Sequence, residues 1–441
     1  MAIEDPRVAA ALQKLPDGTV KQRNMLTGTE VWTVPGRGHR PLTVPTSQPH
    51  PLERTKHRKY CAFCTDRYLE TPPEKSRIVR ESDGTWRQID GISARAIHDT
   101  IAEFRRIPNL YEIVSYNYWR LNHGHEPTTA QRQRLAEYLS QPEGYDHVLR
   151  VVRARLAAYG MSTEDIATIS ETDLLGEATG FFCGGHDVIV GRRHYVHGAT
   201  MDDQLASAGT LSVEEHRQYI AYTARSIGDL YDLNPAVMYV AAFQNWLKPA
   251  GASFDHLHKQ LVAIDEMPVQ IQDELNRLRK NPQIYEQILR VCATRGLLVA
   301  RNENAVAMAG IGHRYPTLAV WPLGPAVNPW EAEPEVVRDV SDLLHALHAA
   351  TGSQVPCNEE WYHRPNSVTS NMRWRILLKW RISTLAGFEG GTRIYLNSID
   401  PWGVHDRVLP KLHELRDSGA ISDMQLGGEV RVDPVDLGAN R

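Results

Sequence analysis

The chain has 441 residues, 42% of them hydrophobic and 23% charged, with a formal net charge of −4 and a pI near 6.6. A balance this close to neutral gives no global reason to expect nucleic acid or a membrane surface as partner, so an anionic ligand must be met by local basic groups. No apolar run approaches a membrane span, the N-terminal MAIEDPRVAAALQKLPDG lacks a signal-peptide core, and five cysteines make no disulfide framework, so the expected compartment is the cytoplasm.

In chain order, residues 26–41 (LTGTEVWTVPGRGHRP) read as a turn, a strand over Val31–Val34 and a basic loop. Arg37 and Arg40 stand beside glycine and proline, where guanidinium and backbone donors could meet a phosphate; a solvated basic turn is the plainer reading. Cys61 and Cys64 form a CxxC that runs into Thr71-Pro72-Pro73-Glu74 and not into a helix. That context favours half of a metal site over a redox pair. The other cysteines, Cys183, Cys292 and Cys357, read as small buried hydrophobes.

Residues 91–113 are expected to give a helix, SARAIHDTIAEFRRI, and then the segment Pro108-Asn109-Leu110-Tyr111. From about 117 to 180 the pattern is helical, with Val148, Val152, Leu156 and Tyr159 as one apolar stripe. Gly185-His186-Asp187-Val188-Ile189-Val190 is a glycine turn entering a strand, which exits past His194 and His197; a histidine there is well placed to ligate metal. Ser212-Val213-Glu214-Glu215 is a capping box opening a helix with Ile220, Ala224, Ile227 and Tyr231 on one face. Val237–Phe243 is a buried strand.

It delivers the stretch around which the chain is organised, FQNWLKPAGASFDHLHKQLVAI. A strand beginning where the Gly251-Ala252-Ser253 turn ends puts His256, His258 and Gln260 on one face. Such a pair often only hydrogen-bonds in a polar layer. With Asn245, Ser253 and Gln260 as neighbours, however, it suits covalent nucleotidyl transfer, which needs donors around a phosphorus centre and a nucleophile active near neutral pH. A catalytic zinc held by both histidines ranks second, because Asp255 points to the opposite strand face. The second half repeats the grammar: a strand at Leu318–Trp321, a helix carrying Val336, Val340, Leu343, Leu344 and Leu347, and an alternating strand Arg373–Trp380. A glycine-rich turn at Ala386–Thr392, a strand to Asn397 and a helix over about 401–417 end the chain.

LTGTEVWTVPGRGHRP, CAFC with TPPE, RIPNLYEIV, GHDVIV with its following histidine, FQNWLKPAGASFDHLHKQLVA and AGFEGGTRIYLN occur in that order. Together they resemble the landmarks of the galactose-1-phosphate uridylyltransferase-like family of the histidine-triad superfamily, which includes nucleoside-diphosphate-sugar phosphorylases. The resemblance implies an α+β protein, a duplicated histidine-triad-like fold of mostly antiparallel sheet with flanking helices. Residues 1–116 and 181–298 would be the catalytic half, 117–180 a helical insertion and 299–441 the C-terminal half.

It further implies His258 as nucleophile and Gln260 as its phosphoryl contact. Cys61, Cys64, His256 and a fourth ligand, His194 or with less support His197, would hold a structural zinc. Arg37, Arg40, Asn109, Asn245 and Ser253 would line the nucleotide and phosphate site. Phe388 and Glu389 would reach the partner's sugar across a homodimer. The implied activity is nucleotidyl transfer from a nucleoside-diphosphate sugar, UDP-hexose to hexose 1-phosphate. Alternatives are an ADP-sugar or dinucleoside polyphosphate phosphorylase, or a nucleotide-binding protein without turnover. Leu257 replaces the proline between the histidines, and Arg373 and Arg375 stand where many members have a second His-x-His, so a second metal site is not expected.

Overall fold

A computed structural model describes residues 11–36 and 48–432; Arg37 and Arg40 lie outside the described residues. Strands β1 (Leu12–Lys14), β2 (Val20–Arg23) and β3 (Glu30–Thr33) make an antiparallel meander, and β3 falls where the Val31–Val34 strand was expected.

The first half then contributes β4 (Ser76–Arg80), β5 (Trp86–Asp90), β6 (Ala102–Pro108), β7 (His186–Gly191), β8 (Tyr239–Trp246) and β9 (His258–Ile264). The second contributes β10 (Leu298–Arg301), β11 (Ala305–Ala309), β12 (Thr317–Pro322), β13 (Cys357–Tyr362) and β14 (Arg375–Trp380). β15 (Ile394–Leu396) returns to pair in parallel with β3, and β16 (Gln425–Leu426) borders β10. The main sheet has the order β16-β10-β11-β12-β14-β13-β8-β9-β7-β6-β4-β5, with every ladder antiparallel.

That order is palindromic about the β13–β8 seam. On either side of it comes the same sequence of strand, strand, helix, strand, strand. If both strands of a pair are displaced equally, the Phe243–Gln260 pair superposes on Glu360–Leu377 and His258 falls on Arg375. The fold is thus a duplicated α+β sheet in which the first copy has His258 where the second has Arg375.

The helices explain which face stays open. Six of them, α1 (Tyr116–His123), α2 (Thr129–Leu139), α3 (Pro142–Ala158), α4 (Thr163–Thr168), α5 (Glu171–Gly176) and α6 (Thr179–Cys183), fill residues 116–183. α2, α3, α5 and α6 share a separate apolar core around Val148, Val152, Phe181 and Tyr138, whereas Trp119 of α1 joins the main core. α7 (Val213–Tyr231) starts at Ser212, whose capping box with Glu215 forms, a device worth about 1 kcal/mol. α8 (Val269–Lys280) and α9 (Ile284–Thr294) follow β9; α10 (Pro334–Thr351) packs beside α7.

Lys259 lies over the Tyr219 ring of α7 at 4.4 Å, so alternation turns His258 and Gln260 away from that helix layer. Beneath the seam, the fully buried Lys259 and Glu359 pair at 2.6 Å, and His348 and Trp361 also bond the Glu359 carboxylate. On the second copy's open face, Arg375 is held by Glu274 of α8, with Tyr285 of α9 bonding the same carboxylate. There, Glu274 and Tyr285 of the two helices cover the position that corresponds to His258 in the first copy.

Three expectations are corrected. Residues 91–113 are no helix: 102–108 form β6, buried between β7 and β4. Buried arginines hid the strand period, since Arg105 pairs with Glu74 and stacks on Tyr68 while Arg106 pairs with Asp187. Tyr159 is 63% exposed, because α3 ends one residue before it. The Ala386–Thr392 turn is a short helix, α11 (Gly387–Thr392), which precedes the final α12 (Pro401–Asp417). Cys183, Cys292 and Cys357 are buried and free as expected, and among the described residues no helix is long and apolar enough to cross a membrane.

Candidate active site

Between β8 and β9 the chain turns through Gly251, whose φ of 90° favours glycine, and bends through 253–256 before it becomes strand at His258. His256 is therefore just outside the ladder, yet it keeps the same face: the Phe63 ring of the CAFC loop packs on His256 at 5.9 Å and on His258 at 5.3 Å.

Cys61, Cys64, His194 and His256 converge in a buried cluster that could hold a metal ion. The Sγ atoms of Cys61 and Cys64 are 3.8 Å apart and the Nδ1 atoms of His194 and His256 are 3.2 Å apart. The four sulfur–nitrogen separations run from 3.4 to 3.9 Å. His256 donates Nε2–H to the Gly191 carbonyl at 2.7 Å, which leaves Nδ1 unprotonated toward the cluster. The Cys61 thiol donates to Cys64 and, with His194 and His256, pulls Cys64 well below the usual thiol range, while Cys61 is pushed up. One thiolate forms readily; a second calls for a cation. His197 is exposed and outside the cluster.

His258 is arranged differently. Its Nδ1–H donates to the His256 carbonyl at 2.7 Å, so in the neutral ring the lone pair is on Nε2. Burial pushes its pKa down to about 4, and the ring is neutral near pH 7. Among the described residues Nε2 makes no hydrogen bond, and a neutral imidazole in that state can act as a nucleophile without a separate base.

Gln260, two residues along β9, accepts at Oε1 from Asn109 Nδ2 at 3.2 Å and from His186 Nε2 at 3.1 Å. Asn109 and Gln260 are thus brought together. His186 was not anticipated; its place at the head of GHDVIV, across the ladder from β9, was the available signal. Asp187 beside it is fully buried, and although burial opposes ionisation, Lys75 and Arg106 hold its carboxyl below the ordinary range. Phe63 was also missed, being an unremarked x of CxxC.

The remaining positions spread out. Asn245 on β8 accepts from Asn358 of β13 at 2.6 Å, which ties it to the seam, and Ser253 is exposed on the turn. Phe388 packs on Trp32 at 6.4 Å, and the Glu389 carboxylate accepts from the Ala386 amide at 3.0 Å, capping its own short helix. Among the described residues, no hydrogen bond or ring contact joins these two to the His258 site.

Known proteins share this architecture. An ADP-glucose phosphorylase from Arabidopsis thaliana is 24% identical over 266 residues, 57% of this chain and 71% of the relative. The crystal structure of an A. thaliana ADP-glucose phosphorylase with bound ADP-glucose superposes with a TM-score of 0.57 at 18% identity, covering 88% of this chain and 97% of that one. The structure of a GalT-like protein from A. thaliana gives 0.54 at 19% identity with the same coverage. The fold is that of the galactose-1-phosphate uridylyltransferase-like proteins, and the model of the family described as a domain of unknown function, DUF4921, matches residues 15–437, so the chain belongs to that family.

Proposed function

We propose that this protein is a nucleotidyltransferase acting on nucleoside-diphosphate sugars through a covalent nucleotidyl-histidine. The observation that carries the reading is His258, a buried neutral imidazole with Nδ1 bonded to the His256 carbonyl at 2.7 Å and Gln260 two residues along the same strand. The Nε2 lone pair attacks the α-phosphorus, the bond from phosphorus to the bridging oxygen breaks, and sugar 1-phosphate leaves with that electron pair. In the second half-reaction an acceptor phosphate oxygen attacks the same phosphorus, the N–P bond breaks and neutral His258 returns.

Gln260, Ser253, Asn109, Asn245, Arg37 and Arg40 are assigned to the nucleotide and its phosphates. Removing one such donor typically costs roughly a hundredfold or more in rate. Phe388 and Glu389 are assigned to the hexose of a partner subunit in a homodimer. The catalytic half comprises 1–116 and 181–298, with 299–441 as the second copy.

The A. thaliana relatives favour an ADP-sugar as donor and inorganic phosphate as acceptor. Uridylyl transfer from UDP-hexose to hexose 1-phosphate, which the motifs alone suggest, is the other form. Both share the His258 step.

The ion assigned to Cys61, Cys64, His194 and His256 is zinc. Bonds of about 2.3 Å to sulfur and 2.0–2.1 Å to nitrogen give tetrahedral edges of roughly 3.8, 3.5 and 3.3 Å for S–S, S–N and N–N pairs. The observed separations of 3.8 Å, 3.4–3.9 Å and 3.2 Å agree with these. Bound there, zinc ties the CAFC loop to the approach of β9 and takes no part in the transfer.

The test is to incubate the protein separately with ADP-glucose, UDP-glucose, UDP-galactose and GDP-mannose and to read its intact mass. A gain of one nucleoside monophosphate, absent in His258→Ala, supports the reading and names the base. Binding of the nucleotides without any adduct would contradict it.

A further inference from the structure

The geometry points to His186 as the positioning residue that fixes which end of the Gln260 amide faces the transferring phosphoryl group. The inference rests on the role given to Gln260 above. A glutamine amide has two ends of nearly equal shape, and only its nitrogen can donate to an anionic phosphoryl oxygen. Something must hold the oxygen back.

The hydrogen bonds can be followed from groups whose direction is not in question. The Ile113 backbone N–H can only donate, and it meets His186 Nδ1 at 3.0 Å. Nδ1 is therefore the unprotonated nitrogen of the neutral ring, Nε2 carries the proton, and at 3.1 Å it donates to Gln260 Oε1. Asn109 is fixed in the same way. The Tyr111 N–H donates to Asn109 Oδ1 at 2.9 Å, so Nδ2 is the end that donates to Gln260 Oε1 at 3.2 Å.

His186 Nε2 and Asn109 Nδ2 lie 2.9 Å apart because both aim at one oxygen. Turning the glutamine over would set its NH2 against two donors with no acceptor between them. Among the described residues Gln260 Nε2 makes no hydrogen bond, so it remains available to substrate.

The supports of His186 are rigid. It is 1% exposed at the head of β7, and its neighbour Asp187 is locked by Lys75 at 2.6 Å and Arg106 at 2.7 Å. Burial also pushes the His186 pKa down to about 4, which keeps the ring in the neutral form that the hydrogen bonds require. A charged imidazolium would donate from both nitrogens and clash with the Ile113 N–H.

A double-mutant cycle on the full chain separates positioning from plain structural support. The probe is whichever of ADP-glucose or UDP-glucose labels the wild type, and the readouts are the single-turnover rate of adduct formation at saturating donor and the donor Kd. His186→Ala is expected to slow adduct formation roughly tenfold or more, since it releases a donor of the reacting site, with little change in Kd. In a Gln260→Ala background the same substitution should change the rate by no more than about twofold. His186→Gln, which can accept from Ile113 and still donate, should restore much of the rate and guards against a misfolded alanine variant.

Equal slowing by His186→Ala in both backgrounds would overturn the inference, as would a wild-type rate in His186→Ala itself. A wild-type rate in Gln260→Ala would instead remove the role given to Gln260, and absence of any adduct would remove the proposed reaction; either result takes this inference with it.

Discussion

Arg375, the counterpart of His258 across the pseudo-symmetric seam, is 4% exposed in its side chain and sits against a fully buried Glu274. Glu274→Gln would leave a buried guanidinium facing an amide that answers only part of its charge. Breaking one partner of such a pair costs about 3–5 kcal/mol, because the remaining ion stays desolvated. Unfolding entropy is roughly 2.1 cal/mol/K per residue, so in a chain of 441 residues that unfolds as one unit each kcal/mol is worth about 1 °C. The expected fall in Tm is about 3–5 °C, measured by calorimetry. Glu274→Leu combined with Arg375→Met removes both charges at similar volume and should recover most of the loss. Nucleotidyl adduct formation at His258 should be unchanged in both variants. A shift below about 1 °C, or a double variant less stable than Glu274→Gln, would refute the claim that this face is a filled, structural copy of the site.

Two further outcomes follow. Cys64→Ser should remove bound zinc, from one ion per chain to near none by elemental analysis after dialysis, because three ligands replace four around an ion worth about 10–16 kcal/mol in comparable sites; unchanged metal content would sink the site. Burial pushes Glu112 from an ordinary 4.5 up to about 7. Its folded pKa lies above the unfolded one, so its stability contribution is intact below pH 4.5 and lost as pH rises through 7. Glu112→Gln should therefore gain on the wild type between pH 5 and pH 8, by up to about 3 kcal/mol in urea unfolding. A gap independent of pH would contradict the assignment.

What the sequence made legible was whatever is local. The Ser212 capping box, the turn at Gly251 and the period of two from His256 to Gln260 are written in neighbouring residues, and each appears in the fold. The β6 strand was not legible, since Arg105 and Arg106 look solvent-facing until Glu74 and Asp187, distant in the chain, are seen to neutralise them. The choice between His194 and His197 likewise needed the third dimension: only His194 turns its Nδ1 toward the thiols. His186 escaped notice for the same reason. Its meaning lies in Ile113 and Gln260, 73 and 74 residues away, and no short-range pattern could announce it.

The central claim is that His258 Nε2 becomes bonded to the nucleotide phosphorus. Mixing the wild-type protein with ADP-glucose or UDP-glucose, quenching at alkaline pH and mapping the peptides tests it most directly. The nucleoside monophosphate should be found on the peptide containing His258, should be lost on mild acid treatment as a phosphoramidate is, and should be absent from His258→Ala. A nucleotide attached to another residue, or full turnover in His258→Ala, would contradict it.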